Sequence, residues 1–174
     1  MKKIKIHIRN NHWKKDSLPC DLEGEKNNTI TKEIFQRKLD KFSEVKNKIE
    51  YLIDWDDDNF VSSIKDSDIL LGWNFPTKNL KNIAPKLKWI HVISAGVNHL
   101  YPFDWMKKGL VLTNSSGVHA IKAGEFGLMS ILMLQNHMTR IITNQKKKKF
   151  ISLLSKPIKG KKVVVVGTGS LGGS

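Results

Sequence analysis

The chain has 174 residues, 40% of them hydrophobic, and a single cysteine, Cys20. That length holds one full core and the opening of a second, while a lone thiol excludes an internal disulfide or a cysteine-based zinc cluster and suits a reducing compartment. The formal charge of +14 raises nucleic acid as a partner, yet only Arg9, Arg37 and Arg140 are arginines and the lysines run along the whole chain, which argues against a surface built to read phosphates.

Lys3 to Arg9 alternates polar residues with Ile4, Ile6 and Ile8, a period-two strand pattern. The start is basic, but charges break up the apolar residues after it, so no secretory apolar core is present. Asn10 to Asn28, with Pro19 and Gly24, reads as loop; Thr29 or Thr31 then caps a helix through Val45, with Ile34, Leu39, Phe42 and Val45 near one face. Ile49 to Trp55 is the next apolar run. Asp56, Asp57 and Asp58 crowd a helix start, where the macrodipole favours negative charge, and read as a cap rather than a metal site. Phe60, Val61 and Ile64 supply that helix with a buried side.

Asp68 to Trp73 and Leu87 to Ser94 come next as short strands, separated by the turn Asn74-Phe75-Pro76-Thr77 and a brief helix around Leu80 and Ile83. Leu110 to Thr113 closes the set. Strands alternating with helical segments predict a parallel sheet covered on both faces, so residues 1–115 read as a flavodoxin-like α/β domain.

Residues 116–150 change character. Val118 to about Asn144 predicts one long crossing helix, apolar around most of its girth, with Lys146 to Lys149 at its negative end. Its longest apolar stretch, Phe126 to Leu134, is about half the ~20 residues that span a bilayer, so neither a membrane nor a specific nucleic acid is expected as a partner, and the cytoplasm is the expected compartment.

Residues 151–174 open a second domain. Val163 to Val166 read as a strand buried on both faces, and Gly167-Thr168-Gly169-Ser170-Leu171-Gly172 matches the G-x-G-x-x-G dinucleotide fingerprint. Gly167 permits the tight turn, Gly169 lets backbone approach a pyrophosphate, and Gly172 allows close helix packing, with Ser170 and Leu171 between them. No Gly-Lys-Ser/Thr ends the run, so it is not a P-loop. The helix expected next, and the acidic residue about 20 positions on, fall past Ser174. An earlier turn, Ser94-Ala95-Gly96-Val97-Asn98, ends a strand where backbone N–H groups can meet an anion.

The order of Asp68 to Trp73, then PKLKWIHVISAGVNHL (Pro85 to Leu100), then GLVLTNSSGVHAIKAGEFGLMSILML (Gly109 to Leu134), then the strand and fingerprint from Lys161, resembles the D-isomer-specific 2-hydroxyacid dehydrogenase family. The resemblance implies an oxidoreductase that transfers a hydride between NAD or NADP and a small 2-hydroxy or 2-oxo acid, with a homodimer as the full-length form. The acid's carboxylate would rest on the N–H groups of Ala95, Gly96 and Val97, and the loop with Asn74 would face its side chain. Gly167, Gly169, Ser170, Leu171 and Gly172 would hold the cofactor in an incomplete site. The family's arginine, glutamate and histidine would lie beyond the chain end, so no catalytic or metal-binding residue is expected here, and the sequence reads as a truncated front half without turnover. Ala120 stands where many members carry Ser or Thr against the cofactor. A non-catalytic, dinucleotide-sensing co-regulator or interaction protein on the same scaffold is the alternative. The unpaired strand and the apolar helix, left without the domain they should dock against, predict self-association or poor order in the last ~25 residues.

Overall fold

The computed structural model describes residues 3–13, 22–55 and 59–174, with backbone alone at 22 and 23. Cys20 and the expected cap at Asp56, Asp57 and Asp58 lie outside the described residues. Two compact units divide the chain, Met1–Ser115 and Ser116–Ser174.

In the first unit the chain runs β1 (Ile4–Asn10), α1 (Leu22–Asn27), α2 (Lys32–Leu39), α3 (Ser43–Lys46), β2 (Ile49–Trp55), α4 (Phe60–Ile64), β3 (Ile69–Gly72), α5 (Leu80–Ile83), β4 (Trp89–Val92), two 3-10 turns (Asn98–Leu100 and Phe103–Trp105) and β5 (Val111–Asn114). The five strands form one sheet in the order β2-β1-β3-β4-β5. All four pairings are parallel. This is the flavodoxin-like order, and the direction of winding reverses between β1 and β3, which opens a crevice at their carboxyl ends.

The N-terminal helix is shorter than the sequence pattern suggests. Thr31 does cap α2, its Oγ accepting from the Ile34 N–H at 3.3 Å, but α2 stops at Leu39 and the rest is the separate α3. Helix α1 sits in the stretch expected to be loop. Asn10, at the end of β1, explains how the next segment is held: its side chain both donates to and accepts from the backbone of Ile30, at 3.0 and 2.9 Å. Helix α2 then packs on β2 through Phe35 against Tyr51, ring centroids 4.6 Å apart, and Gln36 accepts from the Tyr51 hydroxyl.

One sheet face carries the core. Ile90 and Val92 of β4 are fully buried against Phe60, Leu80, Leu87 and Trp105, each such side chain contributing about 1.5–3 kcal/mol. The polar alternates of β1 are buried as deeply: His7 is at 0% exposure and Arg9 at 5%, beside Ile8 at 0%. A central parallel strand is covered on both faces, so alternation in its sequence does not mark a solvent side.

In the second unit the expected single helix is two, α6 (Ala120–Gln135) and α7 (Met138–Lys146). The break has a local cause. Asn136 turns its side-chain amide back onto the Leu132 carbonyl at 2.8 Å, and His137 takes the left-handed conformation at φ 55°, which ends a helical run. None of the α6 residues is buried. Val163 to Val166, read as a strand, have no ladder partner among the described residues, and a parallel strand forms only where neighbours take up its N–H and C=O groups.

Candidate functional site

Three loops leave the carboxyl ends of β1, β3 and β4, and their residues meet one another. Gly72, the last residue of β3, lies so close to β1 that a Cβ on it would stand 2.8 Å from the Arg9 carbonyl. Only glycine permits that approach. The chain then turns through Trp73 and Asn74. Phe75 dives back into the core at 4% exposure, edge-on to Trp105 with centroids 5.7 Å apart. Of the two aromatics in this loop, then, Phe75 is core; Trp73 is half-buried, edge-on to Trp13 at 5.2 Å.

Asn74 is exposed and its backbone is fully engaged. Its carbonyl accepts from the Arg9 guanidinium, its N–H approaches Asn11 Oδ1 at 3.4 Å, and its own Oδ1 accepts from the Phe75 N–H at 2.9 Å. The preceding carbonyl, that of Trp73, accepts from His99 Nε2 at 2.8 Å. A carbonyl only accepts, so Nε2 must carry the hydrogen. His99 belongs to the 3-10 turn just after Ala95-Gly96-Val97, so this bond ties the β3 loop to the β4 loop.

The β4 loop is shaped by Ser94, whose hydroxyl donates to the Gly96 carbonyl at 2.7 Å, and whose carbonyl accepts from the Ser115 N–H at 3.0 Å. Ala95 and Gly96 are exposed, and Val97 is half-buried against the core. Among the described residues no acceptor meets the N–H groups of Ala95, Gly96 or Val97. A Cβ at Gly96 would meet nothing within 4 Å, so the protein itself does not require glycine there. Three consecutive free donors on an open turn can take an anionic oxygen.

Beneath these loops lies a buried titratable group. His7 is lowered from 6.5 to about 4, chiefly by burial, with the Arg9 charge acting the same way and Asp54 opposing. Arg9 stands over the Phe60 ring, 5.7 Å from its centroid. The other strand histidine, His91, bonds Thr113 Oγ1 at 2.9 Å and Ser115 Oγ at 3.3 Å. Sequence places His99 near the cleft, in a structural rather than a catalytic role, but gives no sign of its bond to Trp73; Arg9 and Asn11 carry no signal that they reach Asn74.

In the second unit the glycine-rich loop lies beside the head of α6: a Cβ on Gly117, at φ +89°, would come within 3.5 Å of Ser170 Oγ. Gly124 is approached by Ser174, whose Oγ would be 3.0 Å from a Cβ there. Gly167 has φ +94°, a conformation that favours glycine. At Gly172 a Cβ would collide with the Gly167 carbonyl, whereas at Gly169 it would meet nothing. Gly172 is thus pressed against the start of its own turn at Gly167 and not against a strand as a helix residue, and at Gly169 the protein itself places no demand for glycine. Residues 170–173 form a turn closed by Gly173 N–H to the Gly169 carbonyl at 2.9 Å, not a helix. The residues fit a dinucleotide's pyrophosphate; the expected helix N-terminus that would face it is not formed among the described residues. No group of three His, Cys, Asp or Glu side chains able to hold a metal occurs among them either, nor a helix long and apolar enough to cross a membrane.

Comparison with known proteins agrees with this architecture. The family model described as D-isomer specific 2-hydroxyacid dehydrogenase, catalytic domain, matches residues 28–165. Erythronate-4-phosphate dehydrogenase of Shewanella sp. (strain MR-4) is 27% identical over 111 residues, 63% of this chain and 25% of that protein. A D-isomer specific 2-hydroxyacid dehydrogenase family protein from Aeromonas salmonicida superposes with a TM-score of 0.67 at 19% identity, over 98% of this chain and 48% of the other. A probable 2-hydroxyacid dehydrogenase from Rhizobium etli, in complex with NADP, HEPES and L(+)-tartaric acid, gives 0.62 at 17% identity over 99% and 47%. D-lactate dehydrogenase of Aquifex aeolicus, complexed with NAD and lactic acid, gives 0.58 at 19% identity over 97% and 46%. The chain therefore spans about a quarter of the curated relative and about half of each solved structure.

Proposed function

Because this chain belongs to the D-isomer specific 2-hydroxyacid dehydrogenase family, its model matching residues 28–165, we propose that residues 1–115 form the acid-binding domain of an NAD(P)-dependent oxidoreductase acting on a small 2-hydroxy or 2-oxo acid. Residues 116–150 are then the hinge and crossing segment, and 151–174 the start of the nucleotide-binding domain. The observation that carries this assignment is the run of unpartnered N–H groups at Ala95, Gly96 and Val97 on the carboxyl edge of the sheet, the edge on which ligands of open α/β sheets bind.

In this scheme the acid's carboxylate accepts from those three N–H groups, which fixes C2 without a charged side chain, and Asn74 meets the substituent on C3. Gly167, Gly169, Ser170, Leu171 and Gly172 hold the pyrophosphate, backbone approaching it at Gly169. A nicotinamide, when bound, supplies or takes the hydride at C2, and the protein contributes orientation and electrostatics. The hydroxyl proton goes to a base outside residues 1–174, so this stretch alone does not turn over; Val163 to Val166 without ladder partners support that view.

A test is titration of the 15N-labelled chain with D-lactate and with D-glycerate. The amide resonances of Ala95, Gly96 and Val97 are expected to move in a saturable way, and an NADH-oxidation assay with the corresponding 2-oxo acids to show no rate. Saturable shifts confined to another part of the first unit would overturn the assignment.

A further inference from the structure

We propose that Arg9 and His99 are positioning residues that pin the two carbonyls of Trp73 and Asn74, presenting the Asn74 side-chain amide as a fixed hydrogen-bond donor that selects acids carrying an acceptor oxygen on C3 over acids with a plain methyl or alkyl group there. This rests on the assignment of the β3 and β4 loops as the acid-binding site.

The case begins with the surroundings of Asn74. An exposed loop residue ordinarily leaves its peptide groups to water. Here every backbone polar group flanking the side chain has a protein partner: the Trp73 carbonyl on His99, the Asn74 N–H on Asn11, the Asn74 carbonyl on Arg9, and the Phe75 N–H on Asn74's own Oδ1. Fixing both carbonyls fixes both peptide planes, and with them the Cα–Cβ direction of Asn74. Phe75, locked edge-on to Trp105 in the core, holds the downstream side.

The last of those bonds also orients the amide. An N–H requires an oxygen acceptor, so the group bonded to Phe75 is Oδ1, and Nδ2 points elsewhere. Nδ2 has no acceptor among the described residues. This side chain therefore offers two N–H donors through Nδ2, while one of the two lone pairs of Oδ1 is taken by the Phe75 N–H.

The two clamping residues come from different elements. Arg9 is buried, lies near the end of β1 and stands over Phe60. Its charge strengthens the bond to Asn74, and the buried position fixes the guanidinium. His99 is exposed and comes just after the carboxylate turn, so it holds the C3-facing loop at a set distance from Ala95, Gly96 and Val97. Ordering done on folding need not be repeated on binding, and a donor held in place discriminates where a mobile one would adapt.

The experiment uses the 15N-labelled 174-residue chain and two acids, D-glycerate and D-lactate, which differ by the C3 hydroxyl. Dissociation constants are read from the Ala95 and Gly96 amide shifts. D-glycerate is expected to bind about tenfold more tightly, equivalent to about 1.4 kcal/mol. Asn74→Ala, His99→Ala and Arg9→Met should each bring the ratio close to one, with the thermal midpoint of His99→Ala unchanged. His99→Gln, which keeps a donor, should restore much of the preference. His99 is exposed, so His99→Ala carries the test should Arg9→Met fail to fold. Equal affinities in the wild-type chain, or a preference that survives both Asn74→Ala and His99→Ala, overturn the clamp while leaving the acid site standing. If neither acid moves those amides, the site assignment falls and the clamp with it.

Discussion

His7 Nε2 stands 3.7 Å from Asp54 Oδ2, too far for a hydrogen bond, and neither ring nitrogen of His7 finds a partner among the described residues. The imidazole is fully buried in the central strand with the Arg9 guanidinium two residues along. Taking up a proton there would place a second buried cation beside the first.

That arrangement gives stability a defined dependence on pH. Folded His7 is lowered to about 4 from 6.5, so between those values the unfolded chain binds a proton that the folded chain refuses. Stability is then flat above about pH 6.5, falls as pH drops toward 4, and loses about 3 kcal/mol over the full window. The carboxyls of Asp40 and Asp66, held low by hydrogen bonds from Lys46 and Lys86, add acid sensitivity at lower pH, so the His7 part is read as a difference. Denaturant midpoints at pH 7.5, 5.5 and 4.5 should fall less steeply for His7→Met than for the wild-type chain; parallel curves would show that His7 titrates normally.

Gly96 should separate binding from folding. A Cβ there meets nothing, so Gly96→Ala should leave the thermal midpoint unchanged or raise stability by up to ~1 kcal/mol through the unfolded state. The methyl group would nonetheless crowd an acid resting on the neighbouring N–H groups, and affinity for D-lactate should drop about tenfold or more. An unaltered affinity in Gly96→Ala would mean that the acid does not sit on this turn.

The adjacent residues Asn74 and Phe75 should respond in opposite ways. Phe75 is buried against Trp105, so Phe75→Ala should cost about 3–5 kcal/mol. Asn74 is exposed, and Asn74→Ala, which gives up the one side-chain bond to the Phe75 N–H, should cost only about 1 kcal/mol. Urea titrations of the two variants check this, and comparable losses would show that Asn74 is needed for the fold.

In the glycine-rich loop, Gly172→Ala drives a Cβ into the Gly167 carbonyl, while Gly169→Ala meets open space. Amide shifts in Gly172→Ala should therefore spread from Gly167 to Gly173, and those in Gly169→Ala should stay within a residue or two. The same local pattern in both would mean that the loop does not close on itself in solution.

Much of the first unit was legible because its strands carry strong local signals. Ile49 to Trp55 and Asp68 to Trp73 coincide closely with β2 and β3, and the apolar runs of β4 and β5 end near the expected residues. Partnership was the part that pattern could not supply. Val163 to Val166 carry the local pattern of a strand but form none, because pairing is not a local property, and the end of α6 was set by one amide, that of Asn136, turning back on Leu132. For the site, the exposed turn at Gly96 was visible because glycine and strand ends are local features. The clamp on Asn74 was not, because Arg9 lies 65 positions away and His99 lies 26 from Trp73, and nothing in either local sequence points across such a gap.

The bond from Arg9 to Asn74 also bears on how such a protein can change over time. A loop that rests on the carboxyl end of the first strand inherits every alteration made there, so substitutions on β1 can shift the turn at Trp73 and Asn74 while leaving the loop's own residues as they were. Diversification of relatives with this clamp should therefore leave traces in the opening strand as well as around the ligand.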